Sequence, residues 1–128
     1  MNQEQKDLAI KLIDETVEYY STHRRSINEE GNNCMYLGDY NAKCAFSRCC
    51  IDDAQYDEGR PASCQQMEYL LPEYQILANQ PTFWNKIQRI HDGDKNWHNS
   101  IFTKHGYDFV SKFIAFIKND LDLTDLLN

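Results

Sequence analysis

The chain is 128 residues long, 41% hydrophobic and 12% aromatic, with a formal net charge of −7 at pH 7. That length fits one domain, residues 1–128, with a core that needs no covalent staples, and the composition excludes a disordered chain. The negative charge and a pI of about 4.9 exclude a protein that holds nucleic acid by neutralising phosphates, so no direct nucleic-acid binding is expected and a charged partner is expected to be basic.

The carboxylates are scattered among lysines instead of standing in blocks, which argues against a nucleic-acid mimic. No run approaches the ~20 apolar residues of a membrane span. The N-terminus, Met-Asn-Gln-Glu-Gln-Lys-Asp, has no secretory hydrophobic region. The expectation is a cytoplasmic protein without a membrane partner, its five cysteines present as thiols.

In chain order, residues 3–20 carry Leu8, Leu12, Ile13, Val17 and Tyr20 at helical spacing, with charge on the other face. A connector follows, holding Arg24 and Arg25, which either cap the helix C-terminus or grip an anion. The cysteine-rich stretch, residues 34–50, predicts a small β-hairpin near residues 34–45, turning at Gly38-Asp39-Tyr40-Asn41. Ser63 and Gln66 have the form of a capping box and predict a helix that Pro72 interrupts.

Pro81 suits the first turn of the next helix, with Phe83, Ile87, Ile90 and His91 inward and Trp84 at the margin. Residues 96–105 read as helical up to Gly106. Phe109, Val110, Phe113, Ile114 and Ile117 mark the last amphipathic helix. The tail either extends that helix or forms an arm that pairs with another copy, making a homo-oligomer. The fold class is mainly α (α+β): a helical bundle of about five helices with one small hairpin.

Four chemistries can be drawn on these residues. Cys34, Cys44 and Cys49 with His91 offer a zinc set. No Cys-x-x-Cys pair exists, however, and free cysteine packs as a small apolar group, so the preferred reading has no cofactor and zinc is the alternative. A cysteine nucleophile needs a base and an oxyanion site, and nothing local singles one out, so no catalytic residue is assigned and the reading leans against an enzyme. His91, His98 and His105 recur every seven residues, and His91-Asp92 has the form of a metal-binding pair, but Gly93 and Gly106 argue against one continuous helix. The candidate binding set is aromatic and cationic: Arg24, Arg25, Tyr36, Tyr40, Arg48, Tyr56 and Trp97. Such residues anchor protein interfaces, or sandwich a base and hold its phosphate, or fill a core.

Cys34-Met-Tyr36, Lys43-Cys44-Ala45, Ile51-x-Asp53 with Tyr56-Asp57, and Gln88-x-x-His91-Asp92 followed by Trp97 form a pattern. It resembles small uncharacterised proteins of phages and bacteria over residues 33–97. Asp52 stands where those proteins usually have proline, and Phe46-Ser47-Arg48 replaces a smaller, glycine-containing run. The resemblance implies a shared fold joining the cysteine hairpin to the His-Asp helix, and a phage origin with the host cytoplasm as its setting. It carries no activity with it.

The functional expectation is a small acidic phage-type accessory protein that binds a host defence or regulatory protein without catalysis. One alternative is a nucleotide-sequestering protein using Arg24, Arg25 or Arg48 with Tyr36 and Tyr40. The other is a metal-dependent enzyme or zinc module using Cys34, Cys44, Cys49 and His91.

Overall fold

The computed structural model describes residues 1–27, 35–38 and 42–128. The first helix, α1 (Gln3–Thr22), starts at a capping box: Asn2 Oδ1 accepts from Gln5 N–H at 2.9 Å and Gln5 Oε1 accepts from Asn2 N–H at 2.9 Å. Two amide donors that a helix start leaves open are thereby satisfied. Ala9, Leu12, Ile13, Thr16 and Tyr20 form its buried stripe.

The second helix, α2 (Pro81–Asp92), has proline in its first turn, and the third is α3 (Lys104–Lys118). Phe83, Ile87 and Ile90 of α2 and Phe109, Phe113 and Ile117 of α3 share one core with the α1 stripe. Trp84, expected at the margin of α2, is fully buried against Phe46 and Phe83, its Nε1–H donating to the Leu77 carbonyl at 2.9 Å. The indole can sit inside because that one polar atom has a partner.

The fold is mainly helical with one small antiparallel hairpin, and the hairpin stands later in the chain than expected. Strands β1 (Trp97–His98) and β2 (Ile101–Phe102) pair Trp97 with Phe102 and His98 with Ile101. Asn99 and Ser100 between them both have positive φ, 49° and 66°, the pattern of a type I′ turn. A helix over residues 96–105 is therefore wrong. Asn96 leaves the helical path because its Nδ2 caps the α2 terminus at the Arg89 carbonyl (2.8 Å), while its own carbonyl accepts from Thr103 N–H (2.8 Å).

Of the hairpin expected near residues 34–45, the described residues show an antiparallel bridge, Leu37 with Lys43, closed by Gly38 N–H on the Ala42 carbonyl at 2.9 Å. Its turn, and Cys34 with it, lie outside the described residues. The helix predicted from Ser63 is replaced by 3-10 turns at Ala62–Cys64, Met67–Tyr69 and Pro72–Leu77. Its backbone is used sideways: Cys50 bridges Leu70, Ile51 N–H donates to the Tyr69 carbonyl and Leu71 N–H to the Cys49 carbonyl, each at 2.9 Å.

The tail makes a 3-10 turn at Leu123–Asp125 and buries Leu126 in the molecule's own core, where Lys86 Nζ donates to the Leu126 carbonyl at 2.7 Å. Among the described residues no helix is long and apolar enough to cross a membrane.

Candidate functional site

The hairpin is tied to the C-terminal end of α2 by its first residue. Trp97 Nε1–H donates to the carbonyls of Ile90 (3.0 Å) and His91 (3.2 Å), which removes its polar edge from solvent and fixes the ring plane. Phe102 packs on that ring with centroids 4.9 Å apart, and Tyr107 meets Phe102 edge-on at 4.8 Å. Gly106 makes the approach of α3 to β2 feasible, since a Cβ there would lie 2.6 Å from the Phe102 ring.

The result is a groove of about 490 Å³ between α1, the hairpin and α3, walled by Val17, Tyr20, Trp97, Phe102 and Val110. Ile101 and Tyr107 stand 69% and 54% exposed at its rim. The charged residues in the lining are Asp14 and Glu18, both carboxylates.

A second concavity, of about 390 Å³, lies between α2 and residues 35–36 and 59–62. Asn85, Gln88, Arg89 and Asp92 project into it from one stripe of α2 (i, i+3, i+4, i+7). His91, fully buried behind the lining, holds Asp92 in place. The Ser26 N–H donates to His91 Nε2 at 2.8 Å, so Nε2 carries no proton and Nδ1–H donates to Asp92 Oδ1 at 2.6 Å. Gln88 Nε2 donates to the same oxygen at 3.0 Å while its Oε1 accepts from Phe46 N–H at 3.0 Å. The imidazole thus orients a carboxylate and has no nitrogen left for a metal or for proton transfer.

Cys44, Cys49 and Cys50 are interior groups. Burial pushes Cys44, Cys49 and Cys50 up to about 12, opposed at Cys44 by Ser47, at Cys49 by Arg48 and at Cys50 by Tyr56. They are protonated at neutral pH, a poor state for a nucleophile or a metal ligand. Cys64 is exposed. Among the described residues no three His, Cys, Asp or Glu side chains converge on a common metal position. Of the four residues of the zinc alternative, Cys34 lies outside the described residues.

The binding set expected from sequence divides into three places. Arg25 Nε–H donates to the His91 carbonyl at 2.9 Å and its guanidinium lies 5.4 Å from the Trp97 ring centre, so Arg25 and Trp97 do meet. Arg24 is exposed beside them in sequence. Tyr36 and Tyr56 stack with centroids 5.4 Å apart, and the Tyr36 hydroxyl donates to the Arg60 carbonyl. Burial raises both hydroxyls, and the Tyr36 ring is enclosed, so neither is an open platform for a base.

Arg48, in the 3-10 turn Ser47–Cys49, packs against α1, with its guanidinium 5.5 Å from the Tyr19 ring centre and 3.9 Å from Glu15. Tyr40 lies outside the described residues. The histidines at 91, 98 and 105 share no face: His91 ends α2, His98 is exposed on β1 and His105 begins α3.

Sequence reasoning missed Ile101, Phe102 and Tyr107 in the groove, and the α2 stripe in the second concavity. The stripe had a readable signal, four polar residues at helical spacing opposite Phe83, Ile87 and Ile90. No family model, curated protein or solved structure matches the chain.

Proposed function

We propose that the chain is a non-enzymatic binding protein of the phage accessory type, and that it docks a host protein through the groove between α1, the hairpin and α3. The observation that carries this reading is the pairing of the exposed Ile101 and Tyr107 with a lining whose charges are Asp14 and Glu18. An apolar floor bordered by carboxylates fits a partner segment with one or two apolar anchors flanked by lysine or arginine. The chain's charge of −7 steers such a segment in and disfavours a second copy of this chain as the occupant. The phage setting comes from the resemblance of the cysteine and His-Asp motifs, and the buried, protonated thiols support binding over cysteine chemistry.

The test is affinity capture from host lysate with the native chain and with Ile101→Glu/Tyr107→Asp, followed by binding of the captured partner's cationic peptides. A stoichiometric partner whose lysine- and arginine-flanked segment binds the native chain, and the variant at least tenfold more weakly, is the expected result. Absence of a stoichiometric partner, or one that both baits capture equally, would overturn it.

A further inference from the structure

The walls of the groove between α1, the hairpin and α3 have few main-chain groups to offer an occupant. At Asp14, Val17 and Glu18 of α1, and at Tyr107 and Val110 of α3, each backbone N–H and C=O is bonded along its own helix. The third wall, β2, is two residues long and pairs with β1 alone, too short a strand for an extended peptide to continue. An extended segment laid on Val17, Phe102 and Val110 would turn N–H and C=O groups towards apolar surface with nothing to bond them, which is costly. A helix arrives with those groups already paired.

The carboxylates are spaced for the same kind of partner. Asp14 and Glu18 stand at i and i+4 on the stripe of α1 that also carries Val17 and Ser21, two turns or about 10 Å long. Both are exposed, and among the described residues neither carboxylate has an ion pair or a hydrogen bond. Like charges one turn apart repel each other. Glu18 also stands just before a last turn that holds no basic residue to offset the negative end of the helix dipole. The two charges thus work against the stability of α1 itself, a local conflict of the kind found at functional sites.

Resting on the docking role of this groove, we propose that the segment it takes is a basic amphipathic α-helix. Its apolar stripe, at i, i+3 or i+4 and i+7, lies on Val17, Phe102 and Val110 between the exposed Ile101 and Tyr107. Two lysines or arginines one turn apart on its flank meet Asp14 and Glu18, which relieves the repulsion within α1. Asp14 and Glu18 therefore select for a cationic helix, and the closed backbone of the walls selects against an extended one.

The probe is a peptide of about 18 residues of leucine, lysine and alanine, long enough to form a helix, with leucines on one stripe and lysines flanking it. Two relatives accompany it: one with two central alanines replaced by proline, which breaks the helix, and one with glutamate for every lysine. Calorimetric titration of the full chain gives the affinities, and far-ultraviolet circular dichroism gives the helix gained on binding. The stripe peptide is expected to bind one to one with a gain of helix, and both relatives at least tenfold more weakly. Asp14→Asn/Glu18→Gln, both at the surface, is expected to weaken the stripe peptide at least tenfold, with Tm of the free protein unchanged or raised. Ile101→Glu/Tyr107→Asp is expected to cost at least as much affinity. Equal binding of the proline peptide, abolished in Ile101→Glu/Tyr107→Asp, overturns the helix and leaves the docking role standing. A stripe peptide that does not bind, or that binds either variant as tightly as the native chain, also overturns the proposal, while the lysate capture judges the docking role independently.

Discussion

His91 has no exposed surface, and its ring makes two polar contacts. Nε2 accepts the Ser26 amide and Nδ1–H holds Asp92, while its backbone carbonyl takes Arg25 and Trp97. His91→Phe keeps the apolar volume and strands the Ser26 N–H without an acceptor. An unpaired buried donor costs about 1–3 kcal/mol. The variant is therefore expected to lose about 2–3 kcal/mol, read as a lower urea midpoint with the slope unchanged. His91→Gln, which can still accept at one end and donate at the other, is expected to recover part of that loss. Equal losses in both variants would mean that ring shape, not hydrogen bonding, sets the cost.

At the scale of elements, the hairpin is built from two local compromises. Its turn puts Asn99 and Ser100 in the left-handed region, where a non-glycine residue is disfavoured by roughly 1–2 kcal/mol. Ser100→Gly removes that strain but frees the unfolded chain, which offsets about 0.5–1 kcal/mol. The net expectation is a gain of about 0.5 kcal/mol, measured as a small rise in Tm. At the other end, Gly106→Ala drives a methyl group to 2.6 Å from the Phe102 ring. It is expected to cost about 1–3 kcal/mol by overpacking, and to lower the fluorescence constraint on Trp97 because Phe102 packs on it. Failure of Gly106→Ala to destabilise would mean that Phe102 has room to turn away.

The same two features show why some elements were legible and others were not. Helices α1 and α3 announce themselves through Leu12-Ile13 and Phe109-Val110-Phe113 at a 3.6-residue period that tertiary contacts only reinforce. The strands around Asn99-Ser100 are two residues long, too short to alternate, and their turn lacks the Asn-Gly signature. Residues 62–77 look helical by spacing, yet their amides pair with the Cys50 segment, a long-range choice that no local pattern encodes. The partners that complete each concavity, Ile101 and Tyr107 in one and Arg60 with Arg89 in the other, are assembled by those same long-range turns.

For the molecule as a whole, Cys44, Cys49 and Cys50 are part of the core, and their burial has a consequence for stability against base. Cys44 and Cys49 have an ordinary value of 9.0 and are pushed by burial to about 12 in the folded chain. A raised folded value means that the unfolded chain loses its protons first. The stability tied to these thiols is whole below about 9 and is lost as pH climbs from 9 towards 12. Each thiol contributes up to about 1.4 kcal/mol per pH unit in that window, so the pair contributes up to about 3. A domain of this size has about 5–15 kcal/mol to lose. Urea midpoints are therefore expected to change little between about pH 7 and 9 and to fall steeply above that, with cooperative unfolding before about pH 12. Cys49→Ala removes one titrating group of the three buried thiols and is expected to be less stable at pH 7 yet to show a shallower alkaline slope, by at most about a third. Parallel slopes in the two proteins would place the alkaline loss in groups other than this thiol, Tyr20 foremost, whose hydroxyl is also raised by burial.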